Sequence, residues 1–304
     1  MNIIETHNLS RRFGRNEAVH DLELAVPEGS VFALLGPNGA GKSTTIKMLM
    51  NLIAPTSGEA RVLGVDSRAL SPRERVQIGY VSENQQLPLW MTVRQYLAYC
   101  RPFYPVWDAV LETNLLAKFE LPVDRKLKHL SRGMLMKAAL LSSLAYRPKL
   151  LVLDEPFSGL DPLVRDEFVR GILEVSELGG WTVFVSSHDI EEVERLCDWI
   201  AVIDEGRLQS SESTEALLGR FRRVEVTLGG GSANLTAPPG DWLELERTGD
   251  LVRFVATHYD PTAIGRACRE RFPDGTVAET TMTLRDIFIA LARAGRAARK
   301  GVAA

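Results

Sequence analysis

The chain has 304 residues, of which 45% are hydrophobic and 25% are charged, which is typical of a globular protein with one large or two unequal domains. Its formal net charge of -3 gives no electrostatic bias towards nucleic acid. The sequence has no apolar run of about 18 residues, and residues 1–5 lack the layout of a signal peptide, so we expect a soluble intracellular protein.

The first motif that carries chemistry is a glycine-rich loop at residues 36–43, with the sequence Gly-Pro-Asn-Gly-Ala-Gly-Lys-Ser. The apolar residues 30–35 before it predict a strand, and the apolar spacing over residues 44–53 predicts a helix. A loop that opens a helix offers unpaired backbone N–H groups and the positive end of the helix dipole to an anion. The whole pattern matches the phosphate-binding loop of P-loop NTPases.

Each residue type in this loop has a predicted task. The glycines let the backbone curve around phosphate oxygens without a Cβ in the way. Lys42 is expected to reach the β- and γ-phosphates, and the Ser43 hydroxyl is expected to bind Mg²⁺. The alternative is an ordinary glycine-rich turn between a strand and a helix. The predicted nucleotide-binding residues of the loop are Gly36, Asn38, Gly39, Ala40, Gly41, Lys42, Ser43 and Thr44.

A helical subdomain is predicted next, at about residues 87–146, and it is rich in aromatic residues between Trp90 and Trp107. Some of these residues are expected to form its core, but their density also suits a groove that receives a partner's helix. Trp90 lies in a turn-like stretch, so we expect it to be exposed ahead of a helix that begins near Thr92. Residues 130–134, Leu-Ser-Arg-Gly-Met, precede a long helical pattern and by themselves indicate only a helix cap.

Acidic residues follow a second buried strand, which the continuous apolar residues 150–153 predict. Ligands of open α/β sheets bind at the carboxyl ends of the strands. We therefore expect Asp154 to hold Mg²⁺ and Glu155 to orient or deprotonate an attacking water. Two adjacent acids in this position could also be a solvated turn, but the phosphate loop in the same chain favours the functional interpretation.

A third predicted strand, residues 182–186, is followed by His188. Its place just past a strand end would let His188 hydrogen-bond to a γ-phosphate. A lone histidine is otherwise an ordinary loop or core residue.

A small α+β accessory domain is predicted for residues 220–304, after a first domain that ends at residue 219. Its predicted strands are residues 220–228, 242–247 and 251–257, and its predicted helices are residues 261–272 and 284–294. Glycine and proline turns are expected at residues 229–232 and 238–240. The cysteines, Cys100, Cys197 and Cys268, suggest neither a disulfide framework nor a zinc site, and we expect Cys197 and Cys268 to be buried thiols.

In their order, these motifs resemble the ATP-binding subunits of ABC transporters, over about residues 3–215. The resemblance makes residues 36–44 the phosphate loop, 130–134 the signature, 150–155 the Walker B strand and 158–161 the D-loop, with His188 as the switch histidine. It implies an α/β fold, with a P-loop NTPase core, an antiparallel β subdomain and a helical signature subdomain.

The same resemblance implies further nucleotide contacts. Phe13 would stack on adenine, although a phenylalanine between two strands can also be packing. Asp161, in the D-loop, would also contact the nucleotide. Two subunits would pair head to tail, so that Ser131 and Gly133 contact the nucleotide held by the phosphate loop of the other subunit. Within the signature, Arg132 and Met134 depart from the family's usual Leu-Ser-Gly-Gly-Gln.

Another departure lies at Glu83, where the family usually has a glutamine that contacts Mg²⁺ or the attacking water. A glutamate can still bind Mg²⁺ and accept from water, but it adds negative charge beside a triphosphate. Asn84, Gln85 or Gln86 could take the role if the loop shifts. The strand register favours Glu83.

The resemblance implies an Mg²⁺-dependent ATPase that dimerises on ATP, as a homodimer or a heterodimer, and drives a separate transmembrane permease. Residues 103–108 and 119–122, with the signature, resemble a bacterial exporter-type branch. The subunit would be cytoplasmic and peripheral on the inner face of the cell membrane. The alternative is a soluble ABC-type regulatory ATPase that acts without a membrane partner, but neither tandem cassettes nor a coiled-coil insertion is present, and the net charge gives no support for nucleic acid.

Overall fold

A computed structural model of the chain describes residues 1–177, 180–229, 235–236 and 238–302. Most of the turn predicted at residues 229–232 lies outside the described residues. The chain divides into two compact units, Met1–Ser211 and Glu212–Ala304. This division falls earlier than the boundary predicted between residues 219 and 220, because a helix at Thr214–Arg220 groups with the second unit. None of the helices built from the described residues combines the length and the apolar character that a membrane span requires.

Strands and helices alternate through much of the chain. The strands are β1 (Asn2–Phe13), β2 (Asn16–Pro27), β3 (Val31–Leu35), β4 (Ser57–Val62), β5 (Val65–Asp66), β6 (Ile78–Ser82), β7 (Leu150–Asp154), β8 (Thr182–Ser187), β9 (Trp199–Asp204), β10 (Arg207–Ser213), β11 (Arg222–Thr227), β12 (Trp242–Thr248), β13 (Leu251–Ala256) and β14 (Thr276–Thr281). The α-helices are α1 (Lys42–Leu49), α2 (Pro72–Arg75), α3 (Val93–Cys100), α4 (Ala109–Lys118), α5 (Arg132–Leu144), α6 (Pro162–Glu177), α7 (Ile190–Val193), α8 (Thr214–Arg220), α9 (Pro261–Arg271) and α10 (Leu284–Val302).

The first unit is built on a six-stranded sheet with the order β10-β9-β3-β8-β7-β6. The pairs β9–β3, β3–β8, β8–β7 and β7–β6 are parallel. All residues of β3, β7 and β8 are buried, as their continuous apolar sequences require, because a parallel sheet is covered on both faces. The predicted α/β class and its central strands are therefore confirmed.

A second, four-stranded sheet has the order β2-β1-β4-β5, and its pairings are antiparallel. Ile4, Leu9, Leu22 and Val26 are fully buried in the core that this sheet shares with α1 and the central strands. The antiparallel β subdomain expected from the resemblance is present.

Helices α3, α4 and α5 form the predicted helical region. Thr92 caps α3 through a reciprocal pair of bonds with Gln95, so the helix begins where the sequence predicts. Helix α5 packs on β6, where Ser143 Oγ donates to the Tyr80 carbonyl at 3.3 Å. Just after the helix, the Tyr146 hydroxyl donates to the Ile78 carbonyl at 2.8 Å.

The second unit contains a four-stranded antiparallel sheet with the order β12-β13-β11-β14. Helix α9 contributes Ile264 and Cys268 to a core with Val226, Trp242 and Phe254 of the sheet. The predicted α+β domain thus has the expected strands and helices. Two elements were missed: α8, and the edge strand β14, whose mostly exposed residues carry no apolar alternation.

The prediction that Cys197 and Cys268 are buried is confirmed. Burial raises the pKa of the Cys268 thiol to about 11, so this thiol is protonated at neutral pH.

Gly79 sets how closely α5 approaches the central sheet, and its replacement provides a test of this packing. A Cβ at this position would lie 2.8 Å from both the Leu151 side chain and the Ser143 carbonyl oxygen. We expect Gly79→Ala to lower the free energy of unfolding by about 1–3 kcal/mol, because the backbone of α5 must move away. Urea and thermal denaturation would measure the change.

Gly265→Ala is the matched control, since its Cβ would meet nothing closer than 3.6 Å within α9. An alanine inside this helix should leave stability unchanged or raise it by about 0.5–1 kcal/mol. A Gly79→Ala protein as stable as wild type would contradict the close packing of α5.

Candidate functional site

Four loops meet at the carboxyl edge of the six-stranded sheet. They follow β3, β8, β7 and β6, which are neighbours in that order. The register places Leu35 beside Ser187, and Asp154 beside both Ser186 and Ser82. The residues that come next, Gly36, His188, Glu155 and Glu83, therefore leave the sheet at one edge, where α/β proteins bind ligands.

The glycines of the phosphate loop are required for different reasons. A Cβ at Gly36 would lie 2.1 Å from the Ile203 carbonyl oxygen, so the central sheet leaves no room for a side chain. Gly39 and Gly41 have φ values of +84° and +104°, which favour glycine. Asn38 and Gly39 are exposed, whereas Ala40 is buried, and Ser43 and Thr44 are half-buried in the first turn of α1. The loop thus opens towards solvent at the beginning of a helix.

Lys42 is a buried cation at the centre of the site, with only 4% of its surface exposed. Its Nζ donates to the carbonyl oxygens of Gly36 at 2.7 Å and Pro37 at 3.0 Å. It also lies 3.0 Å from Glu155 Oε1. A buried ammonium group needs such partners, and phosphate oxygens would be equally suitable ones.

Hydroxyl and carboxylate oxygens lie together beside this lysine. Ser43 Oγ and Ser186 Oγ each donate to Asp154 Oδ1 at 2.8 Å, and Ser186 Oγ accepts from the Glu155 N–H at 3.0 Å. Oxygen ligands of this kind are those that Mg²⁺ prefers. The side chains of Ser43 and Asp154 therefore fit a magnesium ion. Ser186, which the sequence predicted only as part of a strand, fixes the position of both acidic residues.

Glu155 lies between two basic groups. Its Oε1 faces Lys42, and its Oε2 is 2.8 Å from His188 Nδ1. The backbone of Glu155 has a φ of +50°, which is uncommon for a residue with a side chain and is held here by the bond from its N–H to Ser186. The structure thus brings five of the predicted site residues together: Lys42, Ser43, Asp154, Glu155 and His188.

The segment around His188 is anchored by Glu192, a residue that the sequence analysis did not single out. Ser187 Oγ donates to Glu192 Oε2 at 2.6 Å, and Arg165 Nη2 lies 3.2 Å from Glu192 Oε1. Burial raises the pKa of Glu192, although Ser187 and Arg165 act in the opposite direction. The helix that follows the D-loop is thereby joined to the histidine loop.

Glu83 lies beside the strand that carries Asp154, since its N–H donates to the Asp154 carbonyl at 2.9 Å. Its Oε1 accepts from Ser158 Oγ at 2.7 Å and from Arg132 Nη2 at 2.9 Å. The hydrogen bond from Ser158, and then the charge of Arg132, keep the pKa of Glu83 below its usual value. Residues 84–86, the predicted alternatives to Glu83, are exposed.

The other predicted nucleotide contacts have local partners in this subunit. Ser131 Oγ accepts from the Met134 N–H at 3.2 Å and caps α5. Gly133 packs so closely that a Cβ would lie 2.5 Å from the Val164 side chain. Asp161 Oδ1 accepts from the Val164 N–H at 3.0 Å, at the start of α6. These three residues lie around the same helix junction.

Phe13 ends β1 with 46% of its surface exposed, and the Arg11 guanidinium lies 4.5 Å from the centre of its ring. Phe13 is therefore not a core residue. Part of its ring is exposed, as stacking on a ligand would require.

Comparison with known proteins identifies the family. Residues 19–158 match the model of the ABC transporter family. An uncharacterised ABC transporter ATP-binding protein of Synechocystis is 34% identical over 244 residues, which cover 76% of this chain and 68% of the relative. The Nod factor export ATP-binding protein I of Burkholderia lata is 38% identical over 225 residues, which cover 71% of this chain and 72% of the relative. The chain belongs to the ATP-binding proteins of ABC transporters.

A solved ATP-binding subunit of an ABC transporter has the same fold, with a TM-score of 0.64 and 29% identity over 71% of this chain and 91% of that one. The family resemblance inferred from the motifs is therefore confirmed, as is the P-loop NTPase fold. Membership of this family implies an ATPase.

Proposed function

We propose that the chain is an Mg²⁺-dependent ATPase subunit that dimerises on ATP and drives a separate membrane permease. The observation that carries this proposal is the placement of Glu155 between Lys42 and His188, at 3.0 Å and 2.8 Å, where the phosphate loop opens. A carboxylate, a buried cation and an imidazole at one edge are the groups that phosphoryl transfer to water needs.

Each of these residues has a defined role in the proposal. Lys42 binds the β- and γ-phosphates and exchanges its contact with Glu155 for them, which releases the carboxylate. Glu155 then orients an attacking water and accepts its proton, while His188 hydrogen-bonds to the γ-phosphate. Ser43, Asp154 and Glu83 are the candidates to hold Mg²⁺, which neutralises charge on the phosphate oxygens when it is bound.

The nucleotide is shared between two subunits in this proposal. Ser131 and Gly133 of one subunit face the phosphates that the phosphate loop of the other subunit holds. Asp161 lies near them at the start of α6, and Phe13 stacks on the adenine. Ser131 and Gly133 lie at the N-terminus of α5, and this position supports an anion contact because the dipole of the helix favours negative charge there. The two subunits are two copies of this chain or a heterodimer.

Exposed apolar side chains in the helical region support the permease partner. Leu89 and Trp90, which follow Glu83, are 48% and 67% exposed, and Tyr99 in α3 and Phe103 just after it are 55% and 62% exposed. Aromatic residues of this kind are enriched at the centres of interfaces. The subunit would then lie on the inner face of the cell membrane through the permease. The Burkholderia relative is named a Nod factor export ATP-binding protein, and this name favours export as the direction of transport.

If Glu155 activates the water, Glu155→Gln should keep ATP binding and slow turnover by about 10²-fold or more, the scale of a lost general base. ATP should then accumulate in a stable dimer. Single-turnover hydrolysis and size-exclusion chromatography would measure both effects.

Lys42→Ala is the comparison for Glu155→Gln, because it should weaken ATP binding itself by removing a charge-assisted contact. Wild-type turnover in the Glu155→Gln protein would contradict the assigned role of this carboxylate.

Mixed dimers test whether the site is shared. Ser131→Arg should block ATP-driven dimerisation, because its bulk and charge occupy the space for the other subunit's γ-phosphate, while ATP binding to the monomer is kept. A dimer of one Ser131→Arg subunit and one Lys42→Ala subunit has one intact composite site. We expect this mixed dimer, isolated through two affinity tags, to hydrolyse ATP when neither parent does. A purified mixed dimer without activity would contradict sites built from two subunits.

Trp90→Ala tests the permease surface. With 67% of its surface exposed, the side chain contributes little to the core, so the melting temperature and basal ATPase rate should stay close to wild type. Association with the permease should lose about 2 kcal/mol if Trp90 is a central anchor. Pull-down of the co-expressed permease would measure this loss, with Val110→Ala, 71% exposed on α4, as the control. An unchanged pull-down would contradict the role of Trp90 as an anchor. Capture of ribosomes in place of the permease would favour the soluble regulatory ATPase.

A further inference from the structure

One carboxylate joins three segments of the first unit. Glu83, at the end of β6, binds Ser158 of the D-loop and Arg132 of α5 through the same oxygen, at 2.7 Å and 2.9 Å. Its own N–H is bound to the carbonyl of Asp154. The backbone of Glu83 is thus bound to the strand that carries Asp154, and its side chain is bound to the D-loop and to the first residue of α5.

Arg132 reaches this carboxylate through space that a glycine leaves open. A Cβ at Gly159 would lie 2.7 Å from Arg132 Nη1, so the guanidinium lies against the backbone of the D-loop. Arg132 follows Ser131 and precedes Gly133, but its charged group turns towards Glu83 of its own subunit. The Arg132 and Glu83 side chains are 49% and 32% exposed, which leaves the pair within reach of the edge where the nucleotide binds.

Glu83 adds to the negative charge at this edge, so a cationic partner stabilises its carboxylate there. Asp154 and Glu155 already place two carboxylates there, and the phosphate loop must accept a polyanion beside them. Glu83 is a third carboxylate at this edge, and its charge is paired with Arg132, whose Nη2 lies 2.9 Å from its Oε1. Lys42 is already in contact with Glu155, whereas Arg132 supplies the positive charge at Glu83 itself.

We propose that Arg132 is a positioning residue for ATP binding, which neutralises Glu83 and, with Ser158, holds its carboxylate in place so that the phosphates can bind beside it. Glu83 and Arg132 then act as one unit: each departs from the family pattern, and the departure at one position is compensated at the other. This inference rests on the proposed ATPase function.

Four proteins test the pair: wild type, Glu83→Gln, Arg132→Gln and the double variant. Arg132→Gln leaves the Glu83 charge unpaired beside the phosphates, so KM for MgATP should rise about fivefold, within the range of couplings between contacting residues, with a smaller change in kcat. The same arginine substitution in the Glu83→Gln background should not raise KM, because the charge to be neutralised is gone. Arg132→Lys keeps the positive charge but lacks the planar guanidinium group, and its KM for MgATP should lie close to that of the wild type.

The control is Arg94→Gln, which breaks the ion pair between Arg94 and Asp124, at 3.1 Å, on the helical region. It should leave KM unchanged. An equal rise in KM with glutamate or glutamine at position 83, or no rise in either case, would overturn the pairing while ATP hydrolysis by the wild type keeps the proposed function intact.

Thermal denaturation of the same four proteins without nucleotide tests the Glu83–Arg132 pair separately from the proposed ATPase function. Non-additive changes in melting temperature support the pair whether or not the protein hydrolyses ATP, and additive changes overturn it. A wild-type protein that neither binds nor hydrolyses ATP would overturn the proposed function and the role of Arg132 in ATP binding. The melting temperatures would still decide whether Glu83 and Arg132 act as a pair.

Discussion

The parallel pairing of β3, β8, β7 and β6 is the constraint on which the site depends. These strands are mostly buried, so polar side chains can collect only where the strands end. The register then aligns Leu35 with Ser187, and Asp154 with Ser186 and Ser82. Side chains that are far apart in the sequence meet within hydrogen-bonding distance because their strands end at the same level.

Charge pairing is the second organising feature of the site. Taking an ammonium or a carboxylate out of water is costly, and the buried ones here are bound on several sides. Lys42 is held by two carbonyl oxygens and Glu155, and Asp154 accepts from two serine hydroxyls. In the proposed reaction, a phosphate competes with Glu155 for Lys42. Nucleotide binding and the release of the carboxylate that activates water would therefore be linked.

Side-chain contacts join the helical region, and the helix α6 after it, to this edge. Glu83 contacts both the D-loop and the first residue of α5, and Arg165 contacts Glu192 behind the histidine loop. Gly133 and Val164 pack directly where α5 and α6 begin. Under the proposed function, Glu83 and Arg132 would connect the bound phosphates to the start of α5. The exposed aromatic residues that follow Glu83 lie on the same segment of chain.

The sequence by itself determined the motifs, the element types around them and the α/β class. Continuous apolar runs that end in Asp154 or His188, and a glycine loop ahead of a helix, are local patterns, and local patterns suffice to predict a buried strand or a helix start. The phosphate loop residues, Asp154, Glu155 and His188 could thus be named before the structure. The weak apolar signals of α8 and β14 could not.

Only the tertiary structure decided which of these residues meet. Strand order and register depend on hydrogen bonds between distant segments, so no local pattern contains the contact of Lys42 with Glu155 or the support that Ser186 gives to Asp154. The same holds for Glu83 and Arg132, which the sequence presented as two separate departures from a family pattern. Exposure, which distinguishes stacking or docking from core packing at Phe13 and Trp90, is likewise a property of the folded chain, because it depends on what packs over each side chain.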